Sequence, residues 1–82
     1  MFHLSIATLE KVIFEEEIHS VSVPGVSGYM EVLANHAPIL ALLQKGKVTV
    51  VTQKQERQTY TISGGLLEVA LNKAILLADE ML

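Results

Sequence analysis

The chain contains no cysteine and no tryptophan, and only two proline, two phenylalanine and two tyrosine residues among 82. Without cysteine there can be neither disulfide staples nor thiolate metal sites, which fits a reducing compartment. Aromatics at 5% offer little surface for base stacking, and a net charge of -3 provides no basic field toward a phosphate backbone. Nucleic-acid binding is therefore excluded as a function class. No apolar run approaches the roughly 18 residues of a membrane span. The amino terminus, Met-Phe-His-Leu-Ser-Ile, lacks the basic and apolar regions of an export signal. A soluble chain is expected.

Half of the residues are apolar and 18% are charged. A chain of this length forms one domain, spanning residues 1–82, and buries roughly 60 to 65% of the surface it would expose unfolded. So much apolar material around so small a core predicts aliphatic surface left outside it, and with it a protein partner.

Period-2 alternation dominates. Phe2, Leu4 and Ile6 alternate with His3, Ser5 and Ala7 as in a half-buried strand. After a turn at Thr8 to Lys11, a short apolar piece (Val12 to Phe14) leads into Glu15-Glu16-Glu17, expected to be a solvated turn. Ile18 to Val23 reads as a strand stopped by Pro24-Gly25, and Gly28 marks a further turn. Tyr29 to Leu33 is extended, and Pro38 keeps the His36 segment out of the helical region. Lys47 to Thr52 and Thr59 to Ser63 form a hairpin with a polar loop. Gly64-Gly65 supplies backbone freedom at a bend, and Leu66 to Leu71 and Ala74 to Ala78 flank a two-residue turn at Asn72-Lys73. The expected fold is all-β: a small two-sheet β-sandwich, or flattened barrel, of about 8 to 10 short strands with no C-terminal helical hairpin.

Chemistry-bearing residues are sparse. Ser63 lacks the strand-to-helix elbow that exposes a hydrolase nucleophile, and no motif joins it to His36 or Asp79. His3, His19 and His36 sit in separate segments without ligand-spaced companions, so neither a metal nor another cofactor is expected, and no catalytic residue is assigned. The three glutamates alternate in direction along an extended chain and cannot converge on one ion. Gly64-Gly65 lacks the wider glycine pattern of a phosphate loop. Lys45, Lys47, Lys54 and Arg57 around one hairpin form at most a mild basic edge that discourages strand pairing. Lys73 invites comparison with the modifiable lysine of lipoyl and biotinyl carriers, which are also small sandwiches, but only nine residues follow it. A generic sandwich interaction module is the other alternative. For His36 the residues alone leave two readings open, a turn whose imidazole bonds a nearby carbonyl and an exposed interaction loop.

Asn35-His36-Ala37-Pro38-Ile39-Leu40, then Ser63-Gly64-Gly65-Leu66-Leu67-Glu68-Val69, then a hairpin ending in Leu77-Ala78-Asp79, resemble in order and spacing the epsilon subunit of the F-type ATP synthase. The match covers the family's amino-terminal β-sandwich domain from Phe2 to Asp79. It implies a non-catalytic rotor subunit of the central stalk that couples the gamma subunit to the c-ring of a proton-translocating enzyme, peripheral to the cytoplasmic face of a bacterial inner membrane. It implies a partner-binding set of Ser27, Gly28, Tyr29, Glu31, His36, Ala37 and Pro38, expected together at one end of the sandwich. Tyr29 stands where the family often places a ring-facing acidic residue, Glu31 replaces a glycine, and Ala34-Asn35 replaces Pro-Gly. Tyr29 is expected to act as an amphipathic anchor whose hydroxyl reaches a polar partner. The family's helical hairpin is not among these residues, so neither ATP binding nor insertion into the catalytic head is expected of them.

Overall fold

The structure, a computed structural model, describes residues 1–82 in full. Eight strands follow one another: β1 (Phe2–Ala7), β2 (Val12–Gly25), β3 (Gly28–Leu33), β4 (Ile39–Leu43), β5 (Gly46–Thr52), β6 (Arg57–Ile62), β7 (Gly65–Ala70) and β8 (Lys73–Ala78). There is no helix. All-β architecture follows from the alternation read above, each strand presenting one apolar face.

The two layers share β2, whose 14 residues make it far from short. Its first half pairs with β1, which continues through β8 and β7 to β4. Its second half pairs with β3 on one edge and with β5, then β6, on the other. A single bridge, Gly25 to Leu43, ties β4 back to the end of β2. The result is a two-sheet sandwich with partial closure rather than a regular barrel. A bulge at His19 allows β2 to serve both layers, because one extra residue flips which side faces inward. Phe14 and Ile18 point into the core before it, and Val21 and Val23 after it.

Seventeen buried apolar residues fill the space between the layers, among them Phe2, Leu4, Ile6, Ile62, Leu67 and Leu76. Phe14 meets Tyr60 edge to face at 6.2 Å between centroids. Gly65 sits where no side chain fits: a Cβ there would lie 2.3 Å from the Leu77 carbonyl oxygen. The expected bend at Gly64-Gly65 is thus a demand of close packing between β7 and β8.

Three local expectations need correction. Glu15-Glu16-Glu17 is no turn but the exposed middle of β2, held in the ladder by pairing with β1. Pro24-Gly25 does not stop that strand; β2 runs to Gly25, and Val26-Ser27 make the turn. The last hairpin turns at Leu71-Asn72, one residue earlier than expected, and both residues have positive φ (53° and 60°). Lys73 therefore opens β8, paired with Ala70 and beside His3, and is not displayed at a tip as in a carrier domain.

Candidate partner-binding surface

The expected site residues fall into two groups at opposite ends of the sandwich. Ser27, Gly28 and Tyr29 belong to the β2–β3 turn, whereas His36, Ala37 and Pro38 follow the far end of β3. Between the turn and the His36 loop β3 runs extended from Gly28 to Leu33, roughly 17 Å end to end at the rise of a strand. The expectation that the two groups cluster is wrong, because β3 is fully paired with β2 along its length and cannot fold back. Glu31 lies between the groups, exposed in mid-strand.

At the first end, short backbone approaches fix the turn. Gly28 has a φ of 128°, a conformation that favours glycine. The Val26 amide donates to the Leu42 carbonyl and the Gln44 amide to the Pro24 carbonyl, at 3.0 and 2.9 Å, which brings the β4–β5 turn alongside. Tyr29 is 62% exposed, yet its hydroxyl accepts the Lys47 amide at 3.0 Å. That oxygen thus has one bond within the fold, while its own O–H donor has no partner there. Lys45 and Lys47 lie here, whereas Lys54 and Arg57 lie at the other end of the β5–β6 hairpin, so the four make no single basic edge.

At the second end, Asn35 takes a left-handed conformation (φ 62°) and its amide donates to Asn72 Oδ1 at 2.8 Å. His36 is half-buried, and its Nδ1 lies 2.7 Å from the Ala37 carbonyl oxygen. A carbonyl can only accept, so Nδ1–H is the donor and Nε2 is left open. The imidazole thus bonds a nearby carbonyl, as the first reading expects, with Ala37 and Pro38 exposed beside it.

Between the ends lies a surface that periodicity could not reveal. Register places Leu42, Leu66, Leu77 and Ala7 in one row across the outer face of β4, β7, β8 and β1. The next row holds Leu40, Glu68, Ile75, Ser5 and Glu15, and a third holds Ala70, Lys73, His3 and Glu17. Leu40 and Leu42 are 69% and 63% exposed, and Ile75 and Leu77 are exposed too. The face is thus aliphatic toward the Gly28 end and charged toward the β1–β2 side. There His3 stands between two carboxylates, Nε2 3.3 Å from Glu15 and Nδ1 3.3 Å from Glu17. Exposed Ala37, Pro38, Leu40 and Leu42 lead from the His36 loop onto this face along β4. No group of three or more histidine, cysteine or carboxylate side chains is arranged to hold a metal ion. The one perturbed ionisable group, Tyr60, is held above the ordinary phenol range by burial and then by the Glu16 charge; it lies on β6, away from this surface.

An all-β body with an aliphatic outer face presents the kind of surface that protein partners cover. Comparison with known proteins identifies its kind. The chain belongs to the family described as ATP synthase, Delta/Epsilon chain, beta-sandwich domain, whose model matches residues 1–82. It is 46% identical over 81 residues to the ATP synthase epsilon chain of Protochlamydia amoebophila, covering 99% of this chain and 55% of that one. It is also 46% identical over 80 residues to the epsilon chain of Chlorobaculum tepidum, covering 98% of this chain and 91% of that one. Among solved structures, a chain of the Euglena gracilis mitochondrial ATP synthase OSCP/F1/c-ring assembly superimposes with a TM-score of 0.91 at 23% identity, over 96% of this chain and 51% of that one. The shared fold is plain. The chain spans about half the length of some relatives and nearly all of others.

Proposed function

We propose that this chain is a non-catalytic rotor subunit of a proton-translocating ATP synthase, joining the gamma subunit to the c-ring. The observation that carries the reading is the exposed aliphatic face on β4, β7 and β8, in a chain whose relatives are ATP synthase epsilon chains. Leu40, Leu42, Ile75 and Leu77 offer a permanent partner the apolar contact that holds stable assemblies together. Gamma is assigned to this face and to the His36 loop that leads onto it. The polar loops of the ring are assigned to the β2–β3 turn, at the end away from the His36 loop, where Ser27, Gly28 and Tyr29 are exposed, with Glu31 nearby. Ends far apart on one stiff body suit a part that transmits torque, since a densely packed core resists deformation. Membrane association would be indirect, through the complex at the cytoplasmic face of a bacterial membrane; no helix is long and apolar enough to cross one.

Titration against purified gamma tests the reading. Leu42→Glu places a charge in the proposed contact and should weaken binding by at least about tenfold. Leu9→Glu, at a 93% exposed position in the β1–β2 turn, should leave it unchanged. Equal affinities for wild type and Leu42→Glu would reject the face as the gamma contact.

A further inference from the structure

The Asn72 side chain ties three separate stretches of chain together. Its Oδ1 accepts the Asn35 amide at 2.8 Å, and its Nδ2 donates to the Met1 carbonyl at 2.9 Å. The orientation is unambiguous, because an amide hydrogen requires the side-chain oxygen and a carbonyl requires the side-chain nitrogen. A third bond, from the His3 amide to the Asn72 carbonyl at 3.3 Å, fastens the start of β1 to the same turn. Asn72 itself is left-handed, as is Asn35, so two residues of unusual backbone conformation face each other across one hydrogen bond.

Asn35 immediately precedes His36, and the loop from Ala34 to Pro38 has no ladder partner of its own. Among the hydrogen bonds of that loop, the bond from Asn35 to Asn72 links it to the β7–β8 hairpin, whereas the His36 bond is local to the loop. We infer that Asn72 is a positioning residue: it fixes the His36-Ala37-Pro38 loop in one conformation before the partner arrives, and so removes the ordering cost from binding. This inference rests on the assignment of the His36 loop to the gamma contact.

The test separates the clamp from that assignment and from the turn. Asn72→Gly keeps the left-handed backbone but deletes both side-chain bonds, so the fold should persist with a thermal midpoint lowered by a few degrees at most, while the Asn35 amide, measured well below that midpoint, exchanges about fivefold to tenfold faster. Affinity for gamma should fall by a similar factor. Asn72→Asp retains the acceptor for Asn35 and should restore most of the protection and most of the affinity. His36→Ala, measured in parallel, reports on the loop itself. If His36→Ala weakens binding while Asn72→Gly changes neither exchange nor affinity, Asn72 is not a positioning residue. Faster exchange with unchanged affinity would overturn it equally, and if His36→Ala is silent as well, the assignment of the loop to gamma fails with it.

Discussion

The two ends of the sandwich are ordered by different means. At the β2–β3 turn the backbone packs so tightly that side chains are excluded: a Cβ on Gly46 would meet the Pro24 ring at 2.7 Å, and one on Gly25 would meet the Gly28 carbonyl oxygen at the same distance. At the His36 end order comes from the Asn72 side chain, and the adjacent turn carries a conformational penalty in Leu71, which is 91% exposed with a φ of 53°. Close backbone packing is hard to loosen without loss of the fold. A side-chain clamp can be released with the fold intact, so the second end is the one where surface and stability can be altered separately.

Substitutions should expose that contrast. The largest effect is expected from Gly46→Ala, where the new methyl is forced against buried Pro24; unfolding in denaturant should show a loss of about 2 to 3 kcal/mol. Tyr29→Phe should cost less, about 1 kcal/mol, since it removes only the acceptor of the Lys47 amide. A Tyr29→Phe variant as stable as wild type would mean that this end does not depend on that bond.

Much of the first end was legible in the residues, and little of the second. Gly28 announced a turn, and Tyr29 to Leu33 read as extended; their separation from His36 follows once that stretch is treated as a length of about 3.3 Å per residue. The alternation of Phe2, Leu4 and Ile6 correctly placed the first strand. Hidden were features that depend on pairing. The His19 bulge leaves no mark on composition, and Ala74-Ile75-Leu76-Leu77-Ala78 is apolar on both faces, so only register decides that Ile75 and Leu77 face out. The last turn lay one residue off because leucine in a left-handed conformation runs against turn preference.

Leu71 yields a smaller prediction of opposite sign. Leu71→Gly relieves about 1 to 2 kcal/mol of left-handed strain against about 0.5 to 1 kcal/mol of added freedom in the unfolded chain. A net gain of roughly half a kcal/mol should appear as a higher denaturation midpoint; a lower one would mean that the side chain supports the fold. The smallest effect is a control away from both ends. Burial, and after it the Glu16 carboxylate, raises the Tyr60 hydroxyl above its ordinary value, so its contribution to stability is complete below about pH 10 and is lost as pH rises through the folded value. Tyr60→Phe should flatten that alkaline decline and leave neutral-pH behaviour at both ends unchanged.

The absence of cysteine makes the central claim open to a direct measurement. Single cysteines placed at Leu42, His36, Ser27 and Leu9 can each be alkylated in the free chain, in its complex with gamma, and in the complex with gamma and c-ring. The account predicts that gamma shields positions 42 and 36, that adding the ring shields position 27, and that position 9 reacts at the same rate throughout. Free reaction at positions 36 and 42 in the full complex, or no added shielding of position 27 when the ring joins, would contradict the assignment of gamma to the outer face and His36 loop and of the ring to the β2–β3 turn.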